Sequence, residues 1–112
     1  MNDDSASRAT SLDADPPPPR ATGVVHTVTL GGGTFAPRVV TIALGDTIDF
    51  VWADGTHSVA SGFRCKVDGM FQSGLHPAPF SYRLTFLKPG VFPYFSEAEC
   101  EEMTGMIVVK TP

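Results

Sequence analysis

All four glutamates of this 112-residue chain, Glu97, Glu99, Glu101 and Glu102, fall within one run of six residues. Carboxylates packed that closely raise the local negative potential, attract cations and repel acidic partners. The ordinary fate of such a run is a solvated loop, and both readings stand at this point. The other groups able to do chemistry are few: Cys65, Cys100, His26, His57 and His76. Two cysteines are the minimum for one disulfide and too few for a zinc site built of thiolates alone. His26 sits among Val and Thr and reads as an exposed strand residue rather than a ligand. His76, in SGLHPAP, lies in a stretch able to approach a site in space. There is no Gly-x-Ser-x-Gly elbow, no His-Glu-x-x-His and no phosphate loop. The chain is therefore not expected to be an enzyme.

The formal net charge is −4. That argues against nucleic acid as a partner, because phosphate binding needs clustered Lys and Arg. No apolar run approaches the roughly 20 residues of a membrane-spanning helix. Residues 1–20 (MNDDSASRATSLDADPPPPR) are rich in Asp, Ser, Ala and Pro and lack aromatics. Such a segment buries too little apolar surface to offset its ordering entropy and is expected to be a disordered tail or linker. Pro16 to Pro19 would stiffen it as a polyproline spacer. It has no apolar core of the kind a secretory leader needs. Two explanations stay open, a cytosolic chain or a leader already removed.

From residue 21 onward, to 112, the pattern is that of one β domain. Val24 to Leu30 is rich in Val and Thr, and Gly31 to Gly33 break it. Val39, Val40 and Ile42 mark a second strand, Gly45-Asp46 a turn, and residues 47–52 a third strand. Phe80, Tyr82, Leu84 and Phe86 alternate strictly, the mark of a half-buried strand. Lys88-Pro89-Gly90 turns the chain into residues 91–95, and residues 105–110 close the set. Trp52 reads as core, Met70 and Phe71 as packing beneath a loop, Met106 as a strand residue, and Asp46 as a turn residue. Residues 62–79 lack alternation and are expected to form a long connection across one edge, which Cys65 would help to pin. Short strands joined by Gly, Pro and Asp turns imply a sandwich or barrel.

Four segments together resemble the cupredoxins, the small blue copper proteins typified by plastocyanin and pseudoazurin. TFAPRVVTIALGDTIDFVW (residues 34–52) is similar to their opening, where Phe-x-Pro leads into a strand, then Gly-Asp-Thr, then a strand with Trp. GTHSV (residues 55–59) resembles the segment that supplies the first copper His. FSYRLTFLKPGVFPYF (residues 80–95) resembles the hairpin running into the metal loop, and MTGMIVV (residues 103–109) the Met-x-Gly-x-Ile-x-Val ending. The resemblance covers about residues 24–110 and implies an all-β Greek-key sandwich or barrel of about seven to eight strands, with a metal site at one end.

Carried over position by position, the resemblance puts His57 at the first His, Ser96 at the Cys, Glu99 at the second His and Met103 at the axial Met. Type 1 copper needs two imidazoles and a thiolate in a plane with a weak thioether. Ser96 is a hard oxygen donor whose hydroxyl stays protonated, so no Cu–thiolate bond can form there. Some relatives place a Cys after the second His and bridge it to one downstream of the first. A Cys65–Cys100 disulfide fits that arrangement. It would close a loop of about 35 residues and stabilise by roughly 4 kcal/mol in the chain-entropy view. It also favours an oxidising compartment, periplasmic or extracellular.

Three functional readings follow. In one, His57, Glu99 and Met103, with Ser96 or water, hold copper or another divalent ion in a non-blue site, and the partner is a redox or metallochaperone protein. In another, no metal is held and the domain is an interaction or structural module. In the third, Cys100 itself supplies a thiolate to copper. A monomer is expected in each case.

Overall fold

The computed structural model describes residues 18–111; the expected tail, residues 1–20, lies largely outside them. Eleven strands are present among the described residues and no helix. Four of them, β1 (Val25–Gly31), β2 (Thr34–Ala36), β4 (Thr47–Trp52) and β9 (Phe80–Thr85), form one sheet in the order β2-β1-β4-β9. Five others form the second sheet in the order β3-β11-β10-β6-β7. These are β3 (Val39–Ala43), β6 (Ala60–Phe63), β7 (Lys66–Gln72), β10 (Gly90–Ser96) and β11 (Cys100–Lys110). A short ladder joins β5 (Thr56–His57) to β8 (His76–Pro77). The architecture is the expected all-β sandwich. The count exceeds seven to eight because β2, β5 and β8 are only two or three residues long.

Alternation builds the core. Ile48, Phe50 and Trp52 on β4 point inward and are buried, as are Val28 and Leu30 on β1 and Phe92 and Tyr94 on β10. The Tyr94 ring packs against Phe35, Phe50 and Phe71. Its hydroxyl is buried without a hydrogen-bond partner, and burial pushes the phenol pKa up. Gly105 lies opposite Tyr94 across the β10–β11 ladder. A methyl group at Gly105 would meet the phenol oxygen at 2.6 Å, so the close approach of ring to backbone requires glycine there.

Residues 62–79 are not the long connection expected from the sequence. They hold most of a β6–β7 hairpin and the strand β8. Phe63 pairs with Lys66, and the two turn residues Arg64 and Cys65 both have positive φ, 53° and 63°. That is the two-residue turn whose twist matches a hairpin, normally signalled by Asn-Gly. Here the signal is missing, and Lys66 to Met70 are exposed on both faces, so no alternation was available to read. Phe71 is buried as expected, but Met70 is on the surface.

Candidate metal centre

The site is assembled where β4, β5, β10 and the loop before β11 meet. After Trp52 the chain turns through Gly55 into β5. The Trp52 indole Nε1–H donates to the His57 carbonyl at 2.8 Å, which fixes the backbone of the imidazole-bearing residue. Gly55 has φ +76°, and a side chain there would meet His57 Nε2 at 2.6 Å. The bare glycine backbone thus lies against Nε2 and leaves Nδ1 as the ring nitrogen turned toward the loop after β10.

Ser96 ends β10, at a register shift between Phe95 and Ser96. It is fully buried, and its Oγ accepts from the Ser58 backbone N–H at 3.0 Å. Ser58 returns the contact: its Oγ accepts from the Glu97 N–H at 2.8 Å. These two hydroxyls clasp the His57 segment to the loop across the sandwich. The loop itself is a tight turn in which the Glu99 N–H donates to the Ser96 carbonyl at 3.2 Å. That turn directs the Glu99 side chain inward.

The result is one close imidazole–carboxylate contact. His57 Nδ1 lies 3.0 Å from Glu99 Oε2, with the imidazole only 5% exposed and the carboxylate 26% exposed. Yet neither His57 nitrogen has a hydrogen bond of acceptable geometry, and Glu99 Oε1 is buried without a partner. The distance is that of an ion pair, but the ring N–H direction does not serve it. Two donors each about 2.0–2.1 Å from one ion lie roughly 3 Å apart when the angle between them is near 90°. The spacing and the orphaned atoms therefore fit a shared cation.

The other expected residues differ in their surroundings. Met103 is buried, 1% exposed, on β11 within the hydrophobic core cluster. His76 pairs with His57 across the β5–β8 ladder, but its ring stacks on Phe80 at 3.6 Å between centroids and its Nε2 contacts the Ser73 carbonyl at 3.0 Å. Glu97, Glu101 and Glu102 stay exposed, so of the acidic run only Glu99 turns inward. Among the described residues no group of three His, Cys, Asp or Glu side chains converges on one point. Cys100 is bonded to Cys65 with Cα atoms 5.0 Å apart, and no cysteine is free. The reading in which Cys100 offers a thiolate is therefore corrected: its sulfur is committed to the tip of the β6–β7 hairpin.

No family model matches the sequence, and no curated protein does either. Solved structures do. A reduced Cu(I) form of an amicyanin variant superposes with a TM-score of 0.65 at 20% identity, covering 80% of this chain and 85% of that one. An oxidised amicyanin variant gives 0.66 at 19% identity over the same shares. A purple cupredoxin from Nitrosopumilus maritimus gives 0.65 at 20% identity, covering 75% of this chain and 98% of that one. The fold is that of the cupredoxins. At these identities the likeness concerns the frame. Within that cupredoxin frame, the expected Cys65–Cys100 disulfide is present and His57 and Glu99 lie in contact, while the contacts of Ser58 and Gly55 went unread in the sequence. The signal for Ser58 was present as a polar residue in the short run His-Ser-Val-Ala, too brief to stand out.

Proposed function

We propose that this cupredoxin-fold domain binds a divalent metal ion, copper foremost, in a non-blue site. His57 Nδ1 and Glu99 would be the two principal donors, with Met103 and Ser96 or water completing the set. The observation that carries this reading is the 3.0 Å approach of His57 Nδ1 to Glu99 Oε2, with Nδ1 and Glu99 Oε1 both buried and without hydrogen-bond partners. A buried unpaired polar atom costs about 1–3 kcal/mol, and a shared cation removes that cost for both groups at once. Imidazole with carboxylate suits a borderline or hard divalent ion. Bound there, copper would supply a coordination centre without the thiolate charge transfer of blue sites. The Cys65–Cys100 disulfide supports an oxidising compartment, periplasmic or extracellular, and the likeness to amicyanin supports a redox or metallochaperone protein as partner.

Titration calorimetry of apo protein with copper, zinc and cobalt is the test. At least one ion is expected to bind, and His57→Ala to weaken it about tenfold or more. Absence of binding by all three would remove the reading. A second reading, a metal-free module on the same frame, is favoured by the lack of a third converging His, Cys, Asp or Glu. It predicts that no ion binds and that His57→Ala leaves partner binding unchanged.

A further inference from the structure

At positive φ a side chain crowds the following carbonyl, so glycine is the residue that goes there readily. Among the described residues the non-glycine ones that do so are Arg64 at 53°, Cys65 at 63° and Cys100 at 57°. All three belong to the Cys65–Cys100 bridge and the hairpin tip it holds. On the hairpin side, β7 is the edge strand of its sheet, paired with β6, and Lys66 to Met70 are exposed. On the other side the bridge holds the loop that carries Glu99. Cys100 follows Glu99 directly, and its left-handed backbone turns the chain from that loop into β11.

The two half-cystines are unlike. Cys65 is exposed and lies between Arg64 and Lys66, both exposed, with the Arg64 guanidinium 5.5 Å from the centre of the Phe63 ring. Cys100 is half-buried and lies between Glu99 and the exposed Glu101 and Glu102. A thiolate displaces a sulfur along the S–S axis, so it reaches Cys65 from the hairpin side and Cys100 from the loop side. An anionic thiolate is therefore drawn to Cys65 past Arg64 and Lys66 and kept from Cys100 by the carboxylates.

We propose that the Cys65–Cys100 bond is a thiol-exchange site for a dithiol reductant, and that its opening releases Glu99 from His57. The thiolate of the dithiol bonds to Cys65 Sγ. The protein S–S bond breaks, and Cys100 leaves with its electron pair and takes a proton from water. The second thiol gives up its proton and displaces Cys65, which is protonated in turn. The dithiol ends as a disulfide, and the protein has gained two electrons and two protons. Cys100 is then free to leave the left-handed region, and the 3.0 Å approach of Glu99 to His57 loses the anchor behind it. The effect on a bound ion rests on the proposed metal centre; exchange and release do not.

Brief treatment of the folded, metal-free chain with mercaptoethanol, quenched with iodoacetamide and mapped by mass spectrometry, tests the exchange. The mixed disulfide is expected on Cys65 and the alkyl group on Cys100. Arg64→Glu with Lys66→Glu should slow the reaction about tenfold or more, at a rate that stays proportional to thiol concentration. A mixed disulfide on Cys100 overturns the proposal. So does a rate indifferent to the double variant, or one independent of thiol concentration, which marks opening by global unfolding. NMR after reduction by dithiothreitol tests the release: the His57 ring signals should shift while the Ile48 and Phe50 amide signals hold. His57 signals that stay in place, or β4 signals that collapse with them, overturn it.

Discussion

Among the described residues there are two imidazole–carboxylate pairs, one beyond each end of β4. At the start of the strand, Asp46 is 4% exposed and His26 Nε2 lies 2.9 Å from its Oδ2. The Thr22 hydroxyl donates to Oδ1, and the Ala43 N–H donates to Oδ2 at 3.0 Å. Every oxygen is used. Hydrogen bonds from Thr22 first, and His26 next, hold the Asp46 carboxyl below its ordinary pKa. Beyond the other end, His57 and Glu99 are as close, 3.0 Å, but three of their polar atoms are buried without partners. The same two side-chain types therefore do opposite things. A pair whose valences are filled by the fold is a structural latch, tying the segment before β1 to the β3–β4 turn. A pair left unfilled is, under the proposed function, the place where a ligand would bind.

Introducing a thiolate and a second imidazole with Ser96→Cys and Glu99→His breaks the contrast most visibly. The copper-loaded double variant is expected to show an intense visible band where the parent shows none, read by absorption spectroscopy. Next is the staple. Cys65→Ser with Cys100→Ser should cost about 2–4 kcal/mol in urea unfolding and loosen the Glu99 loop, leaving the Asp46 latch untouched. Separating the two pairs comes third. Glu99→Gln should weaken metal binding about tenfold or more while moving the metal-free urea midpoint little. Asp46→Asn should do the reverse, lowering the midpoint with metal affinity unchanged.

The acid limb of stability sharpens the same contrast. Because folding depresses the Asp46 pKa, its contribution is complete above the unfolded-state value, about 3.9, and is lost as pH falls through the lower folded value. Asp46→Asn should flatten the urea midpoint below about pH 4. The smallest effect belongs to an exposed pair: Arg83→Ala, breaking the 3.6 Å contact with Asp49, should change stability by less than about 1 kcal/mol.

The frame was legible in the sequence because alternation and turn residues repeat over long distances. Phe80, Tyr82 and Leu84 line the inner face of β9, and Met-x-Gly-x-Ile-x-Val closes β11 as the resemblance implied. The disulfide was legible through the same resemblance. The β6–β7 hairpin was not, because its turn uses Arg64 and Cys65 at positive φ and its strand is exposed on both faces. Asp46 looked like a plain turn residue because its partners, Thr22 and His26, lie more than 19 residues away in sequence, at separations of 24 and 20. Inside the site, the position of Glu99 could be inferred, but the Ser58–Ser96 clasp that sets its loop depends on contacts across the sandwich. Local pattern carries no record of those.

Pulsed EPR on copper(II)-loaded protein addresses the proposed role of His57 directly. A single imidazole nitrogen coupling is expected, lost in His57→Ala and retained in His26→Ala and His76→Ala. A coupling that survives His57→Ala, or loaded protein with no protein-bound copper signal, would contradict the assignment of His57 and Glu99 as a metal centre.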